Sequence, residues 1–145
     1  MEELSFRDFE VGKKFDFGSI VLSEDDIISW AKLNDPLDIH TDKVAAQRSI
    51  FKGLIASGAH IFTIVHKNNW IPRFKGSVIA GLGVNNWKFL KPVYPDQMIY
   101  SSVTIVGIQP NPEKRQAVIT WLYEFKDEKG EMVQSLELTD LHKMD

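Results

Sequence analysis

Residues 53 to 69, GLIASGAHIFTIVHKNN, are apolar on nearly every side of a helix, and residues 54 to 66 contain no acidic side chain. A helix without a polar face cannot lie on a protein surface and must be wrapped by other structure. Ser57, Gly58 and His60 interrupt the run, which falls short of the ~18 apolar residues a membrane span needs. The wrapping follows in the chain. Past residue 76 the period changes: MIYSSVTIVG, RQAVITWLYEFKDE and EMVQSLELTDL carry β-branched and aromatic residues with stretches of alternation, and QPNPEK (109–114) and EKG (128–130) supply turns. SVIAGLGV and NNWKFLKPVYP add two more strands. The pattern predicts about five antiparallel strands rolled as a curved sheet around one dominant helix, an α+β fold. No repeat, linker or low-complexity tract divides residues 1–145, which read as one domain.

The segment before the buried helix is more punctuated. SEDDIISWAKLND opens with a capping box, Ser23 followed three residues later by Asp26, and Pro36 disfavours helical geometry at Asp35. A helix is therefore expected to stop at Asp35 and DPLDIHTD (35–42) to form a turn. Thr41 or Asp42 can cap a short second helix over KVAAQRS. On a regular helix Asp35 and His40 would be about 140° apart around the axis, so only the proline turn can bring them into one pocket. A carboxylate and an imidazole sharing a water can exchange protons with a substrate. A hydrogen-bonded loop is the commoner use of such residues, and spacing alone does not separate the two.

Several chemistries are excluded. With no cysteine, disulfides, thiolate nucleophiles and cysteine-zinc sites are ruled out. GLGVNN lacks the third glycine of a dinucleotide fingerprint, and Ser57 is flanked by Ile55 and Ala59 where a nucleophile elbow needs glycines. His60 and His66 are six apart and cannot chelate as an i, i+4 pair, so no metal and no cofactor are expected. A net charge of -3 gives no general attraction to nucleic acid or anionic membranes. The charged start, MEELSFRDFEVGKK, has no signal-peptide character, and a cytoplasmic location is expected.

Taken together, DPLDIHTDKVAAQRSIFKGLIASGAH resembles the motif region of the MaoC-like dehydratases and (R)-specific enoyl-CoA hydratases, a hot-dog-fold family. Its hallmark is Asp-x-Asn-Pro-x-His, an aspartate two residues on, and an Ile-Ala-His-Gly or Ile-Ala-Ser-Gly segment opening the central helix. Asp35, His40, Asp42 and the IASG of residues 55–58 fall at matching separations. WKFLKPVYPDQ is similar to the family's later strand and turn, and the resemblance runs from about Phe9 to about Tyr100. Leu37 and Asp38 depart from Asn-Pro, with Asp38 expected to face solvent, and Asp96-Gln97 replaces Gly-Asp in the later turn.

The resemblance implies reversible hydration of a trans-2-enoyl thioester of coenzyme A or acyl carrier protein to the (R)-3-hydroxyacyl thioester. It makes Asp35 and His40 the catalytic dyad and the Gly58 N–H the oxyanion donor. Ser57, where many relatives have histidine, donates to substrate or caps the helix. Lys88 and Lys91 meet the phosphates of coenzyme A or are solvated lysines on a strand edge. His60 is expected to be a core or interface histidine. The resemblance also implies a homodimer made by joining two sheets. A hot-dog thioesterase would need a carboxylate on the central helix, which residues 54–66 lack; a non-catalytic acyl-thioester-binding protein is the other alternative.

Overall fold

The computed structural model describes residues 2–145. Five strands, Lys14–Val21 (β1), Val78–Phe89 (β2), Met98–Asn111 (β3), Gln116–Lys126 (β4) and Met132–Lys143 (β5), form one antiparallel sheet in the order β1-β3-β4-β5-β2. Alternation decides which face is covered. On β4, Ala117, Ile119, Trp121, Tyr123 and Phe125 are buried, while the residues between them are half-buried. These side chains meet Ile61 and Val65 from the helix Gly58–Val65, here α4, in one hydrophobic cluster. Register shifts on β1, β2 and β3 mark bulges of the kind that bend a strand. A curved five-stranded sheet packed around one helix, which turns Ile61 and Val65 into the core, is the hot-dog fold.

The preceding helices are Glu24–Asn34 (α1), the single turn Asp38–Thr41 (α2) and Lys43–Gln47 (α3). Ser23 and Asp26 close the capping box in both directions at 3.1 Å. α1 ends with Asp35 as its cap, just before Pro36. Asp42, rather than Thr41, caps α3, its Oδ1 accepting from the N–H groups of Val44 and Ala45.

Three expectations are corrected. The central helix begins at Gly58, not at residue 53, because the N–H groups of Ile55 and Ala56 bond sideways to the carbonyls of Ile39 and Val93. It also continues beyond residue 69, through a π-helical turn His66–Trp70 and a last helical segment Ile71–Phe74 (α5). Pro72, which has no N–H to give the ladder, lies in the segment that follows directly on that π-helical turn. Finally, SVIAGLGV and NNWKF are one strand, β2, and the fifth strand is KFDFGSIV, β1, which the alternation argument passed over. No helix among the described residues is long and apolar enough to cross a membrane.

Candidate active site

The two extended segments that flank α2 and α4 create the site. His40 lies on α2, and its Nδ1 is 2.7 Å from the carbonyl oxygen of Ile55. A carbonyl only accepts, so Nδ1 carries a proton and a neutral ring presents its lone pair at Nε2. That Nε2 is 3.4 Å from Asp35 Oδ2. The non-helical backbone at Asp35 (φ -156°, ψ 70°) turns this carboxylate back toward α2. Ser57 Oγ donates to the same Oδ2 at 2.8 Å. The imidazole is buried while the Asp35 side chain is 35% exposed, so the pair spans the boundary between core and opening.

Asp35, His40, Ser57 and Gly58 all line one cavity of about 440 Å³. Leu37, Ile39, Phe51, Ile55, Ile61 and Val133 make most of its wall apolar. Gly58 is the first residue of α4, and the helix's own bonding begins with the N–H groups of His60 and Ile61 on the Ser57 carbonyl. The N–H groups of Gly58 and Ala59 therefore have no intrahelical acceptor. A Cβ at Gly58 would lie 2.1 Å from the Phe89 ring and 2.6 Å from Gln134 Oε1, so no larger residue fits without movement.

The other expected residues fall differently. Ser57 stands at the helix start but makes no cap bond; its hydroxyl proton is committed to Asp35. Lys88 is exposed on the edge strand β2. The Lys91 ammonium pairs with Asp127, at 2.8 Å, and with Glu131 across the β4–β5 turn. The Asp127 hydrogen bond raises the Lys91 pKa, and the same bond lowers that of Asp127. Lys91 is thus a clamp between the loop after β2 and that turn, and it also lines the cavity that holds Asp35, His40 and Gly58. Asp38 is exposed on α2. His60 is buried, stacked on Trp30 with ring centroids 4.7 Å apart, and burial lowers its pKa.

Sequence reasoning missed the Ile55 carbonyl, because a backbone acceptor has no side-chain signature. It also missed Gln134. The signal was present: Gln134, Leu136, Asp140 and His142 share the inward face of β5, and a polar residue at an inward position of a strand is a buried polar group.

A second constellation mimics a catalytic triad. Ser77 Oγ is 2.8 Å from His142 Nδ1, and His142 Nε2 is 2.9 Å from Asp140 Oδ1, which also accepts from Trp121 Nε1. All three triad-like residues are fully or almost fully buried, and none lines the cavity that holds Asp35 and His40. The network joins the end of β5 to the start of β2.

Comparisons with known proteins agree with this fold. The uncharacterized protein YdeM of Bacillus subtilis (strain 168) is 33% identical over 138 residues, covering 94% of this chain and 96% of the relative. A structure described as a monoamine oxidase regulatory protein from Archaeoglobus fulgius superposes with a TM-score of 0.87 at 28% identity, covering 100% of this chain and 97% of that one. The MaoC-like dehydratase from Rhodospirillum rubrum gives 0.85 at 25% identity, with 98% of each chain covered. The family model of the MaoC-like domain matches residues 8–123, the span that contains α1 to α4, Asp35, His40 and most of the sheet, and the chain belongs to that dehydratase family.

Proposed function

We propose that this protein catalyses the reversible addition of water to a trans-2-enoyl thioester, forming the (R)-3-hydroxyacyl thioester. The observation that carries the reading is the approach of Asp35 to His40 on the wall of an apolar cavity that also holds Gly58. An ionised carboxylate and a neutral Nε2 are both acceptors, and a water placed between them can donate one proton to each. In that pose the water's oxygen bonds to C3 of the substrate, its proton passes to the dyad, and the dyad returns a proton to C2. Electron density from the C2=C3 bond moves onto the thioester oxygen, where the Gly58 N–H at the helix amino end stabilises it. One such donor is worth about 10² to 10³ in rate. The Ile55 carbonyl and Ser57 hydroxyl act on the dyad itself: the first fixes the imidazole tautomer, the second orients the carboxylate.

The carrier is coenzyme A or acyl carrier protein, whose phosphates would meet Lys91, which lines the cavity, and Lys88 on the exposed strand β2, next to the cavity residue Phe89. The assembly is a homodimer. β2 is an edge strand exposed along all twelve residues and carries Val78, Ile79, Leu82, Val84, Trp87 and Phe89. A long apolar edge with unpaired backbone groups is a template for pairing with a second copy.

Incubation with crotonyl-CoA tests the chemistry. Loss of the enoyl absorbance without release of thiol is the expected result. Free thiol would instead establish a thioesterase, and no change in either signal would leave a binding protein.

A further inference from the structure

Gly58 has an aromatic neighbour. A Cβ on Gly58 would overlap Phe89 Cε1 and Cδ1, so the ring rests against the Gly58 Cα. In a helix the Cα–Cβ bond tilts toward the amino end, the direction in which the first N–H groups also point. The Phe89 ring therefore stands beside the path by which an acceptor reaches the Gly58 N–H. Phe89 lines the cavity and is 63% exposed, so it offers the cavity uncovered aromatic surface. The ring is also supported. Trp87 lies 5.6 Å from it between ring centroids, donates from Nε1 to Gln134 Oε1 at 3.2 Å, and meets Phe62 of α4 edge-on at 5.5 Å.

Phe89 and the dyad reach the site from different sides. In the extended segment before α4, Ile55 is bonded to α2, its N–H to the Ile39 carbonyl and its own carbonyl to His40. The next N–H, that of Ala56, is bonded instead to the Val93 carbonyl in the loop after β2. The segment thus runs between α2 and that loop, with the dyad along one edge and the end of β2 along the other. On the reading of the site as an enoyl-thioester hydratase, we propose that Phe89 contacts the substrate and backs its planar enoyl group. With the thioester oxygen on the Gly58 N–H, the ring lies against the face of the C2=C3 bond turned away from Asp35 and His40, and holds C3 within reach of their water. A conjugated enoyl thioester is flat, and an aromatic ring is a surface on which it can lie without burying an unpaired polar atom. Contact alone would lower KM. A wall that fixes the reacting carbon against its nucleophile raises kcat, since a displacement of about 1 Å can cost about 10² in rate.

The test uses Phe89→Ala, which removes the wall, and Phe89→Tyr, which restores the ring, both assayed with crotonyl-CoA beside the wild type. Phe89→Ala is expected to lose about 10- to 10²-fold in kcat, with KM raised by less than kcat is lowered, and Phe89→Tyr is expected to rescue most of that loss. A purely structural role would lower the melting temperature, or the mass seen by light scattering, and leave kcat in place. Folded Phe89→Ala with kcat within about threefold of wild type, a loss carried by KM alone, or a Phe89→Tyr as impaired as Phe89→Ala overturns the assignment while the hydratase reading stands. If Phe89→Ala fails to fold or changes its assembly, Phe89→Leu, which keeps apolar bulk without a flat ring, decides by the same criterion. A wild type that hydrates no enoyl thioester removes the underlying reading, and the role of Phe89 with it.

Discussion

Each residue of the site is held by a contact that can be removed separately. Asp35→Asn and His40→Gln keep shape but remove a proton-transfer group, and each is expected to cost about 10² to 10⁴ in kcat. On the proposed mechanism, in which both act on one water, the double variant should lose far less than the product of the single losses. Asp38→Asn should change kcat little, since Asp38 is exposed on α2 and the 3.4 Å partner of His40 is Asp35. Ser57→Ala removes the donor to Asp35 and is expected to cost about tenfold, the worth of a hydrogen bond to a charged group. Gly58→Ala places a methyl where the Phe89 ring and Gln134 amide already are; thermal unfolding should register a loss of about 1–3 kcal/mol, partly restored by Phe89→Ala. A different backbone argument applies in the turn before β3. Asp96 has φ +63°, the left-handed region, where the family pattern has glycine. Aspartate tolerates that conformation better than most residues, and Asp96→Gly should leave stability within about 1 kcal/mol of wild type.

At the scale of elements, β2 and β5 make the strongest predictions. If β2 is the seam of a dimer, light scattering should give twice the 16.6 kDa chain mass at micromolar concentration. Leu82→Glu and Val84→Lys on its exposed edge should shift that mass toward one chain. At the other end of β2 the Ser77–His142–Asp140–Trp121 network is sealed in the core. His142→Leu strands Asp140 without its imidazole partner and should cost about 3–5 kcal/mol in chemical denaturation. Enoyl-thioester affinity should not change, because none of the network's residues lines the cavity. The elements were unequally legible in sequence. β4 was plain because its inward face is an unbroken series of Ala117, Ile119, Trp121, Tyr123 and Phe125. β1 was not, because its burial follows no clean alternation and its bulge at Gly18 shifts the register. The helix start was misplaced by five residues because Leu54, Ile55 and Ala56 are buried in an extended segment as fully as they would be in a helix.

For the molecule as a whole, burial of imidazoles sets the response to pH. His60 and His66 both have pKa values lowered from 6.5, with burial the main cause in each. The unfolded chain therefore binds protons that the folded chain resists, so stability falls as pH drops below about 6.5. Melting temperatures should decline from pH 7 to pH 5, and His60→Asn or His66→Asn should flatten the decline. The site was legible in sequence as far as its side chains carry it: Asp35, His40 and Gly58 line one cavity, because a proline turn and a glycine at a helix start leave local marks. The Ile55 carbonyl, the Lys91 clamp and Gln134 were not, since each depends on pairing between segments far apart in the chain. The most direct measurement is chiral analysis of the product formed from crotonyl-CoA by wild type and by Asp35→Asn in parallel. The account predicts (R)-3-hydroxybutyryl-CoA from the wild type and a rate about 10² to 10⁴ lower from the folded variant. Absence of that product with wild type, or its formation at the wild-type rate by the variant, would contradict it.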